Sequence, residues 1–406
     1  MKIIITLLFS ISFYGVGITQ INLELISPQP TLQDSDVGAM TMADIDNDGD
    51  LDLMLTGKNV PGPTLSTLYT NDGNGNFTEV SGTPFINVHG GAVGFEDVDG
   101  DGFLDLLITG RTHGGALSTN LYINDTAGNF TLMAGTPFED SDSGDLAFGD
   151  VDNDGDQDVL ITGLTNVNSL TGHSTLYEND GTGVFSEVTG TPFVDLHLSS
   201  VEFIDIENDN DIDVILAGFD DNDVASTTLY VNDGAGNYSL VPNTPFSNFG
   251  KGDITIADSD NDGDEDILIS GTDDTEYIAK LYENDGAGSF SVVSGTPFPG
   301  TANGETDFGD FDNDGDVDVL MTGVGNGGII SNIYINEGSN NFALEDILIG
   351  AYTSSTAIGD VDGDGDLDAF IGGTTFTQPL RATRAYINVT TGPLPVSYTH
   401  LTLPTN

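Results

Sequence analysis

The sequence predicts an all-β fold, a seven-bladed β-propeller with four antiparallel strands in each blade. Three observations carry that expectation: an acidic nine-residue motif that recurs seven times, four short apolar segments around each copy, and chain ends that complement each other. The motif begins at Asp44, Asp97, Asp150, Asp205, Asp258, Asp310 and Asp360, at successive offsets of 53, 53, 55, 53, 52 and 50 residues. Four strand-like segments repeating at about 50 residues are the pattern of propeller blades.

The second repeat shows the elements in order: AVGFEDV (92–98), LDLLITG (104–110), NLYIN (120–124) and FTLMAGTPF (130–138). Each is short, rich in β-branched and aromatic residues and closed by Gly, Asn-Asp or Thr-Pro, and none carries the 3.6-residue stripe of a helix. The last repeat supplies DAFIGG (368–373) and RAYINV (384–389) and then lacks a fourth segment, whereas NLELIS (22–27) stands unassigned before the first motif. The N-terminal strand is therefore expected to complete the last blade, closing the ring and removing its exposed edge. The alternative is an open array, which needs no complementary ends.

Composition narrows the function. The 406 residues include 66 Asp and Glu against 7 Lys and Arg, a formal net charge of −59, and no Cys. Such a charge opposes encounter with nucleic acid or an anionic membrane surface. Without Cys, disulfides cannot staple the fold, and some other cross-link is expected. Lys2, the apolar stretch from Ile3 to about Val16, and the small residues near Gly17 and Thr19 read as a secretory signal over residues 1–20. That leaves residues 21–392 for the propeller and predicts a secreted or cell-surface protein that does not span a membrane.

The motif reads Asp-x-Asp-Asn/Gly-Asp-Gly-x-x-Asp, and its chemistry follows from the spacing. Carboxylates at the first, third, fifth and ninth positions offer converging hard oxygens, which suits Ca²⁺ with six to eight oxygen ligands. Those residues are Asp44, Asp46, Asp48 and Asp52; Asp97, Asp99, Asp101 and Asp105; Asp150, Asp152, Asp154 and Asp158; and Asp205, Glu207, Asp209 and Asp213. The later repeats place Asp258, Asp260, Asp262 and Asp266; Asp310, Asp312, Asp314 and Asp318; and Asp360, Asp362, Asp364 and Asp368 there.

The seventh position holds Asp50, Asp156, Asp211, Asp264, Asp316 and Asp366, but Phe103 in the second repeat. A residue that ligates through its backbone carbonyl tolerates that change. The sixth position is Gly except for Asn210, as a sharp turn with positive φ requires. The second position is apolar in six loops and is expected to plug the blade core. An EF-hand needs Glu at the twelfth position and flanking helices; here Leu55, Ile108 and Ile161 stand there. The seven loops hold 35 of the 66 acidic residues, so metal binding accounts for most of the charge, with six or seven Ca²⁺ expected.

The loops preceded by Phe-Gly strands, as at Phe148-Gly149-Asp150 and Phe308-Gly309-Asp310, resemble the FG-GAP (VCBS-type) repeat proteins, whose blades also occur in integrin α-subunit heads. The resemblance covers about residues 21–392. It implies that each loop joins the innermost strand of a blade to the second strand and binds a structural Ca²⁺ on one face of the disc. Glu207 and Asn210 depart from the pattern and make the fourth site the weakest expectation.

Loops on the opposite face differ most among repeats, as KNVPGPTLS (58–66), LTNVNSLTGHS (164–174) and FDDNDVAST (219–227) show. Lys58, Arg111, Lys251, Lys280, Arg381 and Arg384 fall in or beside them, with His89, His113, His173 and His197 expected as exposed loop residues. That face is where an extracellular protein or glycan partner would bind, in a module for adhesion or binding. No nucleophile elbow, zincin motif or phosphate loop supports catalysis, so the chain is expected not to be an enzyme. The alternative is a propeller polysaccharide lyase or other carbohydrate-active enzyme. The residues PLPV (393–396) resemble the junction before a C-terminal sorting domain of secreted bacterial proteins, and SYTHLTLPTN (397–406) resembles translated sequencing adapter.

Overall fold

The computed structural model describes residues 21, 23–26, 30, 32–59, 62–125, 128–375 and 381–389; the expected signal and the tail lie outside them. Among the described residues every helix or strand is a strand. In the second repeat Val93–Glu96, Asp105–Thr112, Leu117–Asn124 and Phe130–Leu132 pair antiparallel in chain order. The same order recurs in the other repeats. In the last, Tyr352–Gly359, Asp368–Thr374 and Arg381–Asn388 are followed by Leu23–Leu25, with Leu23 opposite Asn388 and Leu25 opposite Tyr386. The short strands Val88–His89 and Thr301–Ala302 each join two neighbouring repeats into one nine-stranded sheet.

The second strands are buried on both faces, as Asp105–Thr112 is over its first six residues. A strand covered on both sides needs a continuous apolar run rather than alternation, and LDLLITG is such a run. The covering comes from the adjacent repeats: Val98, Leu107, Leu121 and Phe138 pack with Val159, Ile161 and Tyr177 of the next unit. First and last repeats meet in the same way, Leu53, Leu55 and Tyr69 with Ala357, Val361 and Phe370. First strands lie beside the first strands of the neighbouring repeats, and Met40–Ala43 lies beside Tyr352–Gly359. Gly309 of the second Phe-Gly pair explains its own identity: a Cβ there would come within 2.7 Å of Leu367 Cδ1 in the next repeat.

One expected strand is shorter than read. FTLMAGTPF forms strand only over Phe130–Leu132, and its Gly-Thr-Pro-Phe end is not strand. Pro lacks an N–H for a ladder, and the Phe has another use. Phe138 stands edge-on to Tyr177 of the following repeat with ring centroids 5.0 Å apart, and Glu139 N–H donates to the Tyr177 hydroxyl at 3.1 Å. Phe85 with Tyr122, Phe193 with Tyr230, Phe246 with Tyr282 and Phe298 with Tyr334 repeat the arrangement at 5.0–5.2 Å. The repeated Tyr therefore serves packing between repeats.

Candidate metal centres

Each acidic motif links the first strand of its repeat to the second, as Met40–Ala43 to Asp52–Lys58. The second-position residues anchor it: Ile45, Val98, Val151, Ile206, Ser259, Phe311 and Val361 are at most 1% exposed. The sixth-position glycines have φ from +89° to +98°, and Asn210 takes the left-handed conformation at +67°. The fourth position is left-handed too, which the sequence reading missed. Asn47, Asn153, Asn208, Asn261 and Asn313 lie at φ +56° to +63°, and Gly100 and Gly363 at +73° and +75°. The signal was the restriction of that position to Asn and Gly, the residues that tolerate this region.

Two left-handed residues in a short loop turn its carboxylates inward. In the third loop, Asp150 accepts Asp154 N–H on Oδ1 at 3.1 Å and Gly155 N–H on Oδ2 at 3.0 Å. Asp158 is 1% exposed and braces the loop base, with Val151 N–H on Oδ2 at 3.0 Å and Asn179 N–H on Oδ1 at 2.8 Å. Ligand-capable oxygens lie within 4.8 Å of one another in Asp44, Asp46 and Asp48, in Asp97, Asp99 and Asp101, and in Asp150, Asp152 and Asp158. Asp258, Asp260 and Asp262, and Asp310, Asp312 and Asp318, form like groups.

Four of the seventh-position side chains go elsewhere. Asp50, Asp156, Asp211 and Asp264 sit under turn glycines Gly73, Gly181, Gly234 and Gly286, where a Cβ would meet a carboxylate oxygen at 2.3–2.5 Å. Asp211 also accepts Asn153 Nδ2 of the preceding repeat at 2.8 Å.

Burial and crowding raise the pKa of several loop carboxyls. Burial, with nearby carboxylates adding to it, pushes the ninth-position carboxyls up to about 7 at Asp52, Asp105, Asp158 and Asp213, about 6 at Asp266, about 8 at Asp368 and about 9 at Asp318. Third-position Asp46, Asp99, Asp152, Asp260 and Asp362 are raised for the same reasons. Asp260 Oδ1 and Asp366 Oδ1 are buried with no hydrogen-bond partner. An all-oxygen donor set with orphaned carboxylate oxygens fits a hard divalent cation.

The opposite end of the first strands carries a different structure. Val37, Ser143, Leu198, Lys251, Asn303 and Thr353 are left-handed at φ +46° to +54°, with Gly90 at +72°. They line a 410 Å³ cavity together with Asp145, Glu202, Asp253, Glu305 and Asp307. Most of the basic residues expected here are tied down. Arg111 pairs with Asp142, Arg381 with Asp36 across the first and last repeats, and Lys251 with Asp274, with its ammonium 5.0 Å from the Phe219 ring centroid. Lys280 donates to Ser247 Oγ at 2.6 Å, and Arg384 is buried. The expectation of exposed histidines is corrected for His173 and His197, which lie in strands at 5% and 2% exposure, His173 paired with Leu196 and His197 beside Phe219 of its own repeat. Burial holds the His173 imidazole down, to about 4.

No curated protein matches the chain. Among solved structures, the Dos1 propeller is similar at 13% identity, covering 88% of this chain and 93% of that chain with a TM-score of 0.48. AofleA from Arthrobotrys oligospora is similar at 12% identity over 81% of this chain and 89% of that chain, with a TM-score of 0.45. The fucose-recognising, six-bladed β-propeller lectin of Aleuria aurantia is similar at 10% identity over 79% and 97%, with a TM-score of 0.44. The FG-GAP-like repeat pattern matches residues 44–108, 97–161, 205–269, 258–321 and 310–371, more than half of the sequence, and the chain belongs to the FG-GAP-like repeat family.

Proposed function

We propose that this chain is an exported, calcium-stapled, seven-bladed β-propeller that acts as a binding or adhesion module for an extracellular protein or glycan, without catalytic activity. The observation that carries the metal reading is the convergence of carboxylate oxygens within 4.8 Å in the first, second, third, fifth and sixth loops. The first, third, fifth and ninth side chains, with the seventh-position carbonyl, would hold Ca²⁺. The cation would supply the positive charge that the clustered carboxylates lack. The pairing of Leu23–Leu25 with Arg381–Asn388, and of Met40–Ala43 beside Tyr352–Gly359, supports ring closure.

Partner binding is assigned to the end away from the loops, where the segments that lead into the first strands line the 410 Å³ cavity. Thermal unfolding in excess EGTA and in millimolar Ca²⁺, with calorimetric counting of sites, tests the metal reading. Six or seven sites and a large Ca²⁺-dependent rise in Tm are expected; no binding and no shift would reduce the loops to solvated turns. A glycan array and a pull-down against extracellular proteins test the partner reading. Unsaturated sugar products detected by absorbance would replace it with a lyase.

A further inference from the structure

We infer that the asparagine ending the third strand of each repeat couples neighbouring metal loops, so that the sites load as linked neighbours rather than independently; this rests on the calcium reading above. Each of these asparagines donates its side-chain amide to the second-position carbonyl of the preceding repeat's loop. Asn124 reaches Ile45, Asn179 reaches Val98 and Asn336 reaches Ser259, each at 2.8 Å, while Asn232 reaches Val151 and Asn388 reaches Phe311 at 2.7 Å. Asn284 reaches Ile206 at 3.1 Å, and Asn71 reaches Val361 at 2.8 Å, joining the first repeat to the last. The series therefore returns to its start.

The same residue also grips its own loop. Its backbone N–H donates to the ninth-position carboxylate, as Asn179 to Asp158 and Asn284 to Asp266, both at 2.8 Å. In four repeats the amide donates to the eighth-position carbonyl as well, Asn179 to Gln157 at 3.1 Å among them. One planar amide thus bridges two successive loops. The carbonyl it holds in the preceding loop lies between the first- and third-position carboxylates, so displacing it moves both ligands. A cation that orders one loop orders the asparagine through the ninth carboxylate, and the asparagine then pre-organises the loop before it. Coupling of this kind acts equally in both directions. A side chain that merely filled space would influence overall stability without selecting two loops.

The test is Asn179→Ala in the full chain, read by calorimetric Ca²⁺ titration and by hydrogen exchange of loops 97–105, 150–158 and, as reference, 310–318. Loss of the amide's two bonds is expected to weaken two sites about tenfold and leave the others unchanged. Exchange should rise in loops 97–105 and 150–158 alone, in EGTA as well as in Ca²⁺. Unchanged exchange, an effect confined to 150–158, or a uniform rise that includes 310–318 would overturn the coupling. If the unsubstituted chain binds no Ca²⁺, the calcium reading falls, and the exchange pattern in EGTA still decides whether the asparagine bridges the loops. Should Asn179→Ala fail to fold, Asn284→Ala, which breaks the longest of these bonds at 3.1 Å, carries the same test to loops 205–213 and 258–266.

Discussion

Asp158→Ala separates the two roles that the ninth-position carboxylate combines. Its oxygens accept N–H groups from Val151 at 3.0 Å and Asn179 at 2.8 Å, and Val151 and Asn179 are 0% and 7% exposed. Removing the acceptor strands two buried donors at about 1–3 kcal/mol each, so the metal-free chain should lose about 2–6 kcal/mol. Relief from burying a carboxyl raised to about 7 offsets part of that loss at alkaline pH. Asp154→Ala is the contrast. Asp154 is exposed and accepts Asp156 N–H at 3.0 Å beside solvent, so the cost in EGTA should stay within about 0.5 kcal/mol. In Ca²⁺ at ten times the dissociation constant, each substitution should also forfeit one site's share of stabilisation, about 1.4 kcal/mol. Denaturant unfolding in EGTA and in Ca²⁺ reads both quantities. Equal stability of the two variants in EGTA would refute the bracing role drawn from the hydrogen bonds.

The metal-free chain should lose stability as pH rises from about 4 through about 7. Burial raises Asp145 and Asp307 to about 6 and Asp253 to about 7 from an ordinary 3.8, so the folded chain keeps protons that the unfolded chain has released. The Tm in EGTA at pH 5 should exceed that at pH 8, and the reverse order would contradict the assignment. Phe138→Ala removes the ring seated 5.0 Å from Tyr177 and should cost about 3–5 kcal/mol in denaturant unfolding, against about 1 kcal/mol for Tyr177→Phe, which loses one hydrogen bond. Gly263→Val places a β-branched residue at φ +97° where no atom obstructs it, so a loss of about 1–3 kcal/mol would be purely conformational, and an unchanged midpoint would show that the loop relaxes.

The recurrence of the acidic motif and of four apolar segments made the all-β class, the order of strands and the identity of the loop carboxylates legible before any coordinates. These features are local. Strand propensity, Gly at a left-handed turn and an odd-numbered run of carboxylates each depend on residues close in the chain. Even the unassigned segment at the N-terminus was visible, because repeats can be compared with one another. The limits were equally local: Gly-Thr-Pro-Phe looked like the end of a strand, and His173 and His197 looked like loop residues.

What the sequence by itself determined was therefore the repeated unit, with its strands, its turn chemistry and its cluster of oxygen donors. Only the tertiary structure decided what each unit does to the next. Phe138 against Tyr177, Asn179 on the Val98 carbonyl and Arg381 on Asp36 join residues 39, 81 and 345 positions apart. No periodicity within one repeat encodes which carbonyl an amide reaches in another. Those contacts arise because a four-stranded unit with two apolar faces cannot bury both alone, and its neighbours supply the cover.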